Sequence, residues 1–294
     1  MQYFIDPSLP QWKGNLHTHT TNSDGRLTPA EAVQLYKENG YDFLSLTDHR
    51  KVTPPPENAD ALLLLPGIEL DYFVMGRHRQ AVHIVGIGVD DQIMDTPGIR
   101  ETPQQGIDAI IAHGGIAILA HPAWSLNEPE VIFGLKNLSA TEIFNQVSQS
   151  PWNGNRADSS SILDLCFADG HFLPLLAGDD AHFYNGDACR SFLRLSAPRL
   201  DRENVMDALK NGRFYASQGP EIYEFSQEGK QVHLACSPAA QVIFYSNQPW
   251  VTGRTRCGDA ITENTYNILE NDTFVRAEIT DAQGRKAWTP AIPV

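Results

Sequence analysis

Asn15-Leu16-His17-Thr18-His19-Thr20-Thr21-Asn22-Ser23-Asp24-Gly25 is the stretch on which the reading of the chain turns. Residues two apart on a strand face the same side, so His17 and His19 can converge on one cation with neutral imidazole nitrogens. Asp24 then reaches back from the turn that follows. Taken alone, two near-neighbour histidines describe polar surface as well as they describe a metal site, and the rest of the chain decides between the two. Phe43-Leu44-Ser45-Leu46-Thr47 runs into Asp48-His49, the leucine run from Leu62 leads to Gly67-Ile68-Glu69, and Ile116-Ala117-Ile118-Leu119-Ala120 ends at His121-Pro122. Leu173-Pro174-Leu175-Leu176-Ala177 ends in Gly178-Asp179-Asp180-Ala181-His182, and His83 lies inside a short strand, Ala81 to Gly86. A barrel of parallel strands assembles its active site at the C-terminal strand ends. Six of the ten histidines are placed to meet there.

In chain order, strand and helix patterns alternate. Thr28 with Glu31 forms a capping box, Pro29 suits the first turn, and Asn39-Gly40 stops the helix between them. Pro54-Pro55-Pro56 predicts a rim loop within Arg50 to Asp60. Gly76 predicts a turn joining two short strands between Glu69 and His83. Helices are expected over Pro103 to His113, Ser160 to Ala168 and Asp201 to Asn211, each followed or preceded by an apolar strand. Beyond Gly219-Pro220 the helical period gives way to short β runs, Val232 to Cys236, Gln241 to Tyr245, Tyr266 to Leu269 and Phe274 to Ile279. The expected organisation is an α/β barrel over 1–218 and a small β-sandwich-like domain over 219–294.

A chain of 294 residues can bury the core that this plan needs. Its net charge of −14 argues against a duplex nucleic acid partner, whose binding is dominated by phosphate contacts. No apolar run approaches the ~20 residues of a membrane span and Met1 to Pro7 lacks signal-peptide character, so a cytoplasmic protein with no membrane partner is expected. Cys166, Cys189, Cys236 and Cys257 form no paired motif. The sequence gives no basis for an oligomeric state.

The ordered set His17-Thr18-His19 with Ser23-Asp24-Gly25, Thr47-Asp48-His49, Gly67-Ile68-Glu69, His83 with Gly86, His121-Pro122 and Asp180-Ala181-His182 resembles the PHP (polymerase and histidinol phosphatase) family of metal-dependent phosphoesterases over roughly residues 14 to 218. Gly212 to Ser217 and Ala287-Trp288-Thr289-Pro290 look like the C-terminal extension of its carbaryl-hydrolase-like branch. The resemblance implies a distorted (β/α)7 barrel holding two or three divalent cations. It implies one metal on His17, His19, Glu69 and Asp180, a second on Glu69, His83 and His121, and a third on Asp24, His49 and His182. Many family members have histidine where this chain has Asp24. The mixed donor set leaves Zn, Mn and Fe open.

Clustered cations lower the pKa of a shared water and direct it at a phosphate or carbonyl centre. Glu69 suits the bridging position because a carboxylate has two oxygens to give. Asp24 and His182 are the candidate acids for a leaving alkoxide. Arg156 and Arg79, on loops at this face, are candidate phosphate clamps beside Arg77 and Arg50, and Asn145 is a candidate substrate contact at a strand end. Asp48 and Asp179 are expected to orient the ligands beside them. The preferred reading is hydrolysis of a small phosphate mono- or diester. A carboxyl-ester or carbamate hydrolase is the alternative, and a non-catalytic binding module ranks third because all nine ligand positions are filled.

Overall fold

The computed structural model describes residues 1–56 and 62–294. The part of the expected rim loop over 57–61 therefore lies outside the described residues. In order, the elements are β1 (Gln2–Ile5), β2 (Gln11–Asn15), α1 (Pro29–Glu38), β3 (Phe43–Leu46), β4 (Leu63–Met75), β5 (Arg79–Ile87), α2 (Pro103–Ala112), β6 (Ile116–Leu119), α3 (Pro122–Ser125), α4 (Pro129–Gly134) and β7 (Ala140–Asn145). They continue with α5 (Ser160–Ala168), β8 (Leu175–Gly178), β9 (Phe192–Ser196), α6 (Arg202–Lys210), β10 (Phe214–Ser217), β11 (Ile222–Glu228), β12 (Gln231–Tyr245), β13 (Thr255–Asn267), β14 (Phe274–Thr280), β15 (Lys286–Trp288) and β16 (Ile292–Pro293).

Local chemistry sets the helix ends. The Thr28 hydroxyl accepts from Glu31 N while Glu31 accepts from Thr28 N, completing the capping box of α1. Thr102 and Asp201 cap α2 and α6 in the same position. The barrel follows from strands whose residues are all buried, as in β3, β6, β7 and β8, because a sheet covered on both faces needs apolar runs rather than alternation.

Strands β2, β3 and β4 run parallel, β5 is antiparallel to both β4 and β6, and β6, β7 and β8 are parallel again. That one inverted strand is the distortion in a seven-stranded barrel. The ring closes just beyond β2 and β8, where Thr18 and Ala181 form a parallel bridge. Asp180 N donates to His17 O at 2.9 Å and His19 N to Ala181 O at 3.1 Å, so the residues that close the barrel are those that carry its histidines.

On the far edge of β2, strands β9 and β10 continue the sheet antiparallel into β15, β14, β12, β11 and β1. Strand β12 merges two runs expected as separate strands. Its first half pairs with β11 and its second with β14, and the register shifts between them against β13 mark the bend. The folded sheet encloses a core that includes Ile5, Phe225, Val232, Leu234, Val242, Phe244 and Ile279. The 218/219 boundary falls between β10 and β11, yet β1 pairs with β11, so the first residues join the C-terminal unit. Trp288 stacks on Phe144 at 5.5 Å, and Arg276 of β14 donates to both carboxylate oxygens of Asp164 on α5 at 2.6 and 2.7 Å.

The segment between Glu69 and His83 is a longer hairpin than expected, since β4 has 13 residues and turns at Gly76–His78. No helix of the described residues is long and apolar enough to cross a membrane.

Candidate metal centre

All nine residues proposed as ligands converge at the C-terminal mouth of the barrel, in the three groups that the family pattern implies, with His19 also reaching the third. Glu69 stands between them. Its Oε1 lies 2.9 Å from His83 Nδ1, 3.3 Å from His17 Nε2 and 3.5 Å from His121 Nε2, while Oε2 lies 3.0 Å from His19 Nε2 and 3.3 Å from His49 Nδ1. Asp180 Oδ1 is 3.2 Å from His17 Nε2 and 3.1 Å from His19 Nε2. Asp24, half-exposed at the rim, comes within 3.4 Å of His182 Nε2 and 3.7 Å of His49 Nε2.

These spacings fit a cation. Two ligands each about 2.1 Å from a tetrahedral metal sit roughly 3.4 Å apart, the spacing found around Glu69 and Asp180. His17 Nε2, His19 Nε2, His49 Nδ1 and Asp180 Oδ1 are buried without a hydrogen-bond partner, a costly arrangement for protein alone and the expected one for atoms that ligate.

The surroundings fix the tautomers. Glu142 Oε1 accepts only, so His17 Nδ1, 2.8 Å away, carries the proton and leaves the Nε2 lone pair facing Glu69 and Asp180. His182 Nδ1 donates to the backbone oxygen of Asp180 at 2.7 Å, which leaves Nε2 toward Asp24. His121 Nδ1 meets Ser125 Oγ at 2.9 Å. A Cβ at residue 178 would stand 2.3 Å from Glu142 Oε1, so Gly178 gives that carboxylate its place under His17.

Three non-glycine residues at strand ends hold left-handed backbone, His121 (φ 33°), Asp180 (φ 52°) and Arg50 (φ 53°). Two are in the cluster and the third follows His49, which places local backbone strain where side chains must be aimed inward. Asp48 and Asp179 bond no ligand ring directly and brace the segments that carry the ligands. Asp48 accepts from Thr20 N, Thr20 Oγ1, Ser23 Oγ and Thr53 Oγ1, fixing the turn that carries Asp24. Asp179 accepts from Asn15, Tyr36 and the backbone of Cys189, Arg190 and Ser191.

The electrostatics of the protein alone are those of a carboxylate-lined nest. Burial opposes the charge on His17, but Asp180, Glu142 and Glu69 outweigh it and raise the imidazole well above its usual range. His19 is raised to about 9, burial again being outweighed by Asp180 and Glu69. Burial also opposes the charges of Glu69 and Asp180, and the surrounding histidines, His17 first, hold both well below the carboxylate range.

A cavity of about 270 Å³ opens onto the cluster, walled by Trp124, Val147, Ser148, Asn153 and Phe183. The substrate contacts expected from sequence sit elsewhere. Asn145 is fully buried and donates to Glu142 Oε2 (2.8 Å) and Asp180 Oδ2 (3.2 Å), so it positions carboxylates instead of facing a substrate. Arg156 is exposed and does not line the cavity, and its backbone N–H donates to Ser148 O. Arg79 lies over the Phe73 ring at 4.0 Å on the outer hairpin, Arg77 pairs with Glu130, and Arg50 pairs with Asp71. The guanidinium groups of Arg79, Arg77 and Arg50 are engaged by these partners. Glu142 had a signal in the sequence, an acid beside Ile143 and Phe144 in a short strand, where a buried charge requires donors. Trp124 and Phe183 had only the weaker signal of lying one to three residues beyond His121 and His182.

No family model matches the chain. Over 83 residues it is 39% identical to the 5'-3' exoribonuclease Rnm of Escherichia coli, and over 81 residues 38% identical to the 3',5'-nucleoside bisphosphate phosphatase of Chromobacterium violaceum. Each match covers 26% of this chain and 27% of the relative, so the chain spans about a quarter of the length of these proteins. A two-domain protein from Bacteroides vulgatus containing a predicted PHP-like metal-dependent phosphoesterase shares the fold over 99% of this chain and 98% of its own, with a TM-score of 0.56 and 16% identity. The chain shares the fold of that PHP-like protein, and it is similar to the two phosphate-ester hydrolases over a stretch of about 80 residues.

Proposed function

We propose that the protein is a metal-dependent phosphoesterase acting on a small phosphate mono- or diester. One observation carries the reading: three groups of ligand atoms gather at the floor of one cavity, two of them sharing Glu69, whose Oε2 also lies 3.3 Å from His49 Nδ1 of the third, with buried ring nitrogens left free of protein partners. Divalent cations bound there, Zn, Mn or Fe, would supply charge neutralisation for the substrate oxygens and a water acidified for attack. His17, His19, Glu69 and Asp180 would hold one, Glu69, His83 and His121 a second, and Asp24, His49 and His182 a third.

The chain's own residues do the rest. Glu142 holds His17 in one tautomer, and Ser125 and the Asp180 carbonyl orient His121 and His182. His182 is the better of the two candidate acids. Burial lowers its basicity, but Asp180 and Asp24 raise it past the ordinary imidazole value, so Nε2 can carry a proton for a leaving alkoxide when the third group holds no cation; with a cation there, Nε2 is a ligand and the proton comes from another group. Burial raises Asp24, and the His182 hydrogen bond outweighs that and holds its carboxyl below the usual range, which suits it to receive rather than give. Trp124, Val147 and Phe183 exclude water from one side of the cavity.

The names of the two relatives support phosphorus as the reacting centre, since both describe phosphate-ester hydrolysis. The apolar wall favours keeping a neutral carboxyl ester or carbamate as the second reading. A panel of phosphomonoesters, phosphodiesters and neutral esters, each followed to kcat/KM, separates them. Turnover of phosphate esters above neutral esters is expected, and efficient neutral-ester hydrolysis without any phosphate-ester turnover would overturn the proposal.

A further inference from the structure

We propose that a second cavity, set back to back with the metal centre, binds a phosphate-bearing anion. It encloses about 780 Å³ and is lined by Lys13, Arg190, Arg194 and Arg285 together with the rings of Trp152 and Phe192. Among the described residues no aspartate or glutamate lines it. The chain as a whole has 36 acidic against 22 basic side chains, so four cations around one cavity is a marked segregation of charge.

The cations differ in how they are held. Arg194 and Arg285 are steadied by Glu221 and Asp281, at 2.7 Å each, from outside the lining. Arg194 Nε is nonetheless buried without a partner. Lys13 Nζ donates to Asn39 O and rests 3.9 Å from the Tyr41 ring centroid and 4.7 Å from that of Phe192, with no carboxylate at ion-pair distance among the described residues. Arg190 is exposed and forms no ion pair among the described residues, its recorded hydrogen bond being from the backbone N to Asp179. Two of the four cations are thus already paired, and the positive charge of Lys13 and Arg190 is left for an anion to meet. Three guanidinium forks and an ammonium exceed what a single carboxylate can use and match the oxygens of a phosphate dianion.

The two cavities share their walls. Gln146, Gln149 and Trp152 face the basic side, whereas Val147, Ser148 and Asn153 of the same segment face the metal centre. Phe183 and Asn185 divide in the same way, and Trp152 Nε1 donates to Asn185 Oδ1 at 2.6 Å, tying the two segments together. The phosphate could come from a remote part of a substrate that crosses this wall or from a separate molecule. The chemistry of recognition is the same.

Calorimetric titration of the full, metal-loaded chain with inorganic pyrophosphate tests the site. Wild type is expected to show a class of binding, additional to the metal centre, that weakens at least tenfold in the Arg190→Glu, Arg285→Glu double variant at unchanged metal content and unchanged Tm. Arg190→Lys should retain most of it. Identical isotherms for wild type and the double variant would overturn the proposal, as would a single class of binding in wild type. Kinetics then assign the source. A rise in KM for a bisphosphate substrate but not for its monophosphate counterpart means a remote substrate group, and equal KM values with the calorimetric loss intact mean a separate ligand. Both results support the site, whereas failure of all phosphate-ester turnover with the additional binding intact would count against the proposed reaction alone.

Discussion

Glu142→Gln changes one atom in a buried carboxylate and should uncouple the metal centre without removing a ligand. Glu142 Oε2 accepts from His121 N and from Asn145 Nδ2, both at 2.8 Å, while Oε1 accepts from His17 Nδ1 at 2.8 Å. An amide must replace one oxygen with an NH2 group. Placed at the Oε2 position it would oppose two donors, so it goes to the Oε1 position and opposes one. His17 then relieves the clash by accepting at Nδ1, which moves its proton to Nε2, 3.3 Å from Glu69 and 3.2 Å from Asp180. A protonated Nε2 has no lone pair for a cation. A hydrogen bond to a charged group contributes about 1.5 to 3 kcal/mol, or roughly ten- to more than a hundredfold in affinity. Loss of a partner behind a metal ligand typically costs about 10- to 100-fold. Competition against a chromophoric chelator, with circular dichroism to verify the fold, reads the change directly. Wild-type affinity in a folded Glu142→Gln protein would refute the tautomer argument.

Three further outcomes are expected. In metal-free protein, His17 and His19 have raised folded-state pKa values, so the stability that their protonation contributes is fully present below about 6.5 and is lost as pH rises, for His19 through about 9. Chelated protein should accordingly show a Tm that falls across that window, and metal binding should release protons there. A Tm that rises with pH over the same window would show that the nest does not hold those protons. Asp164→Ala strands the fully buried Arg276 guanidinium between α5 and β14 and should cost about 3 to 5 kcal/mol in urea denaturation, whereas a loss below 1 kcal/mol, on the order of an exposed pair, would mean that the pair does not join the two units. Arg156→Ala, exposed and outside the cavity, should leave kcat/KM within roughly threefold, and a hundredfold loss would place that arginine on the substrate.

The residues that gather at the mouth were legible because several of them, His49, Glu69, His121 and Asp180 among them, stand at or just after the end of an apolar run, and a buried parallel strand has to emerge at the mouth of the barrel. His121 and His182 could be placed this way without knowing what lay between them. The helix ends were legible for a different reason, since Thr28 with Glu31 and Asp201 satisfy backbone groups within a few residues of themselves. What escaped depends on long-range contacts. That β1 pairs with β11 more than 200 residues away leaves no local trace, and the inverted β5 is indistinguishable in pattern from a parallel strand. Arginines were the least legible. Arg79, Arg50 and Arg77 sit near the mouth in sequence, but a long flexible cation takes the nearest ring or carboxylate, here Phe73, Asp71 and Glu130. The basic cavity gathers Lys13, Arg190, Arg194 and Arg285 from well-separated parts of the chain, so no window of sequence contains it.

The central claim is that Glu69 joins the ligand groups and that the reaction depends on the cations they hold. Elemental analysis and phosphate-ester turnover, measured on the same samples of wild type and Glu69→Gln before and after exhaustive chelation and readdition of Mn²⁺ or Zn²⁺, test it most directly. The account predicts two or three divalent ions per wild-type chain, turnover that disappears with them and returns on readdition, and a Glu69→Gln protein that has lost metal and most of its activity. Undiminished turnover by verified metal-free wild type, or full metal content with wild-type turnover in Glu69→Gln, would contradict it.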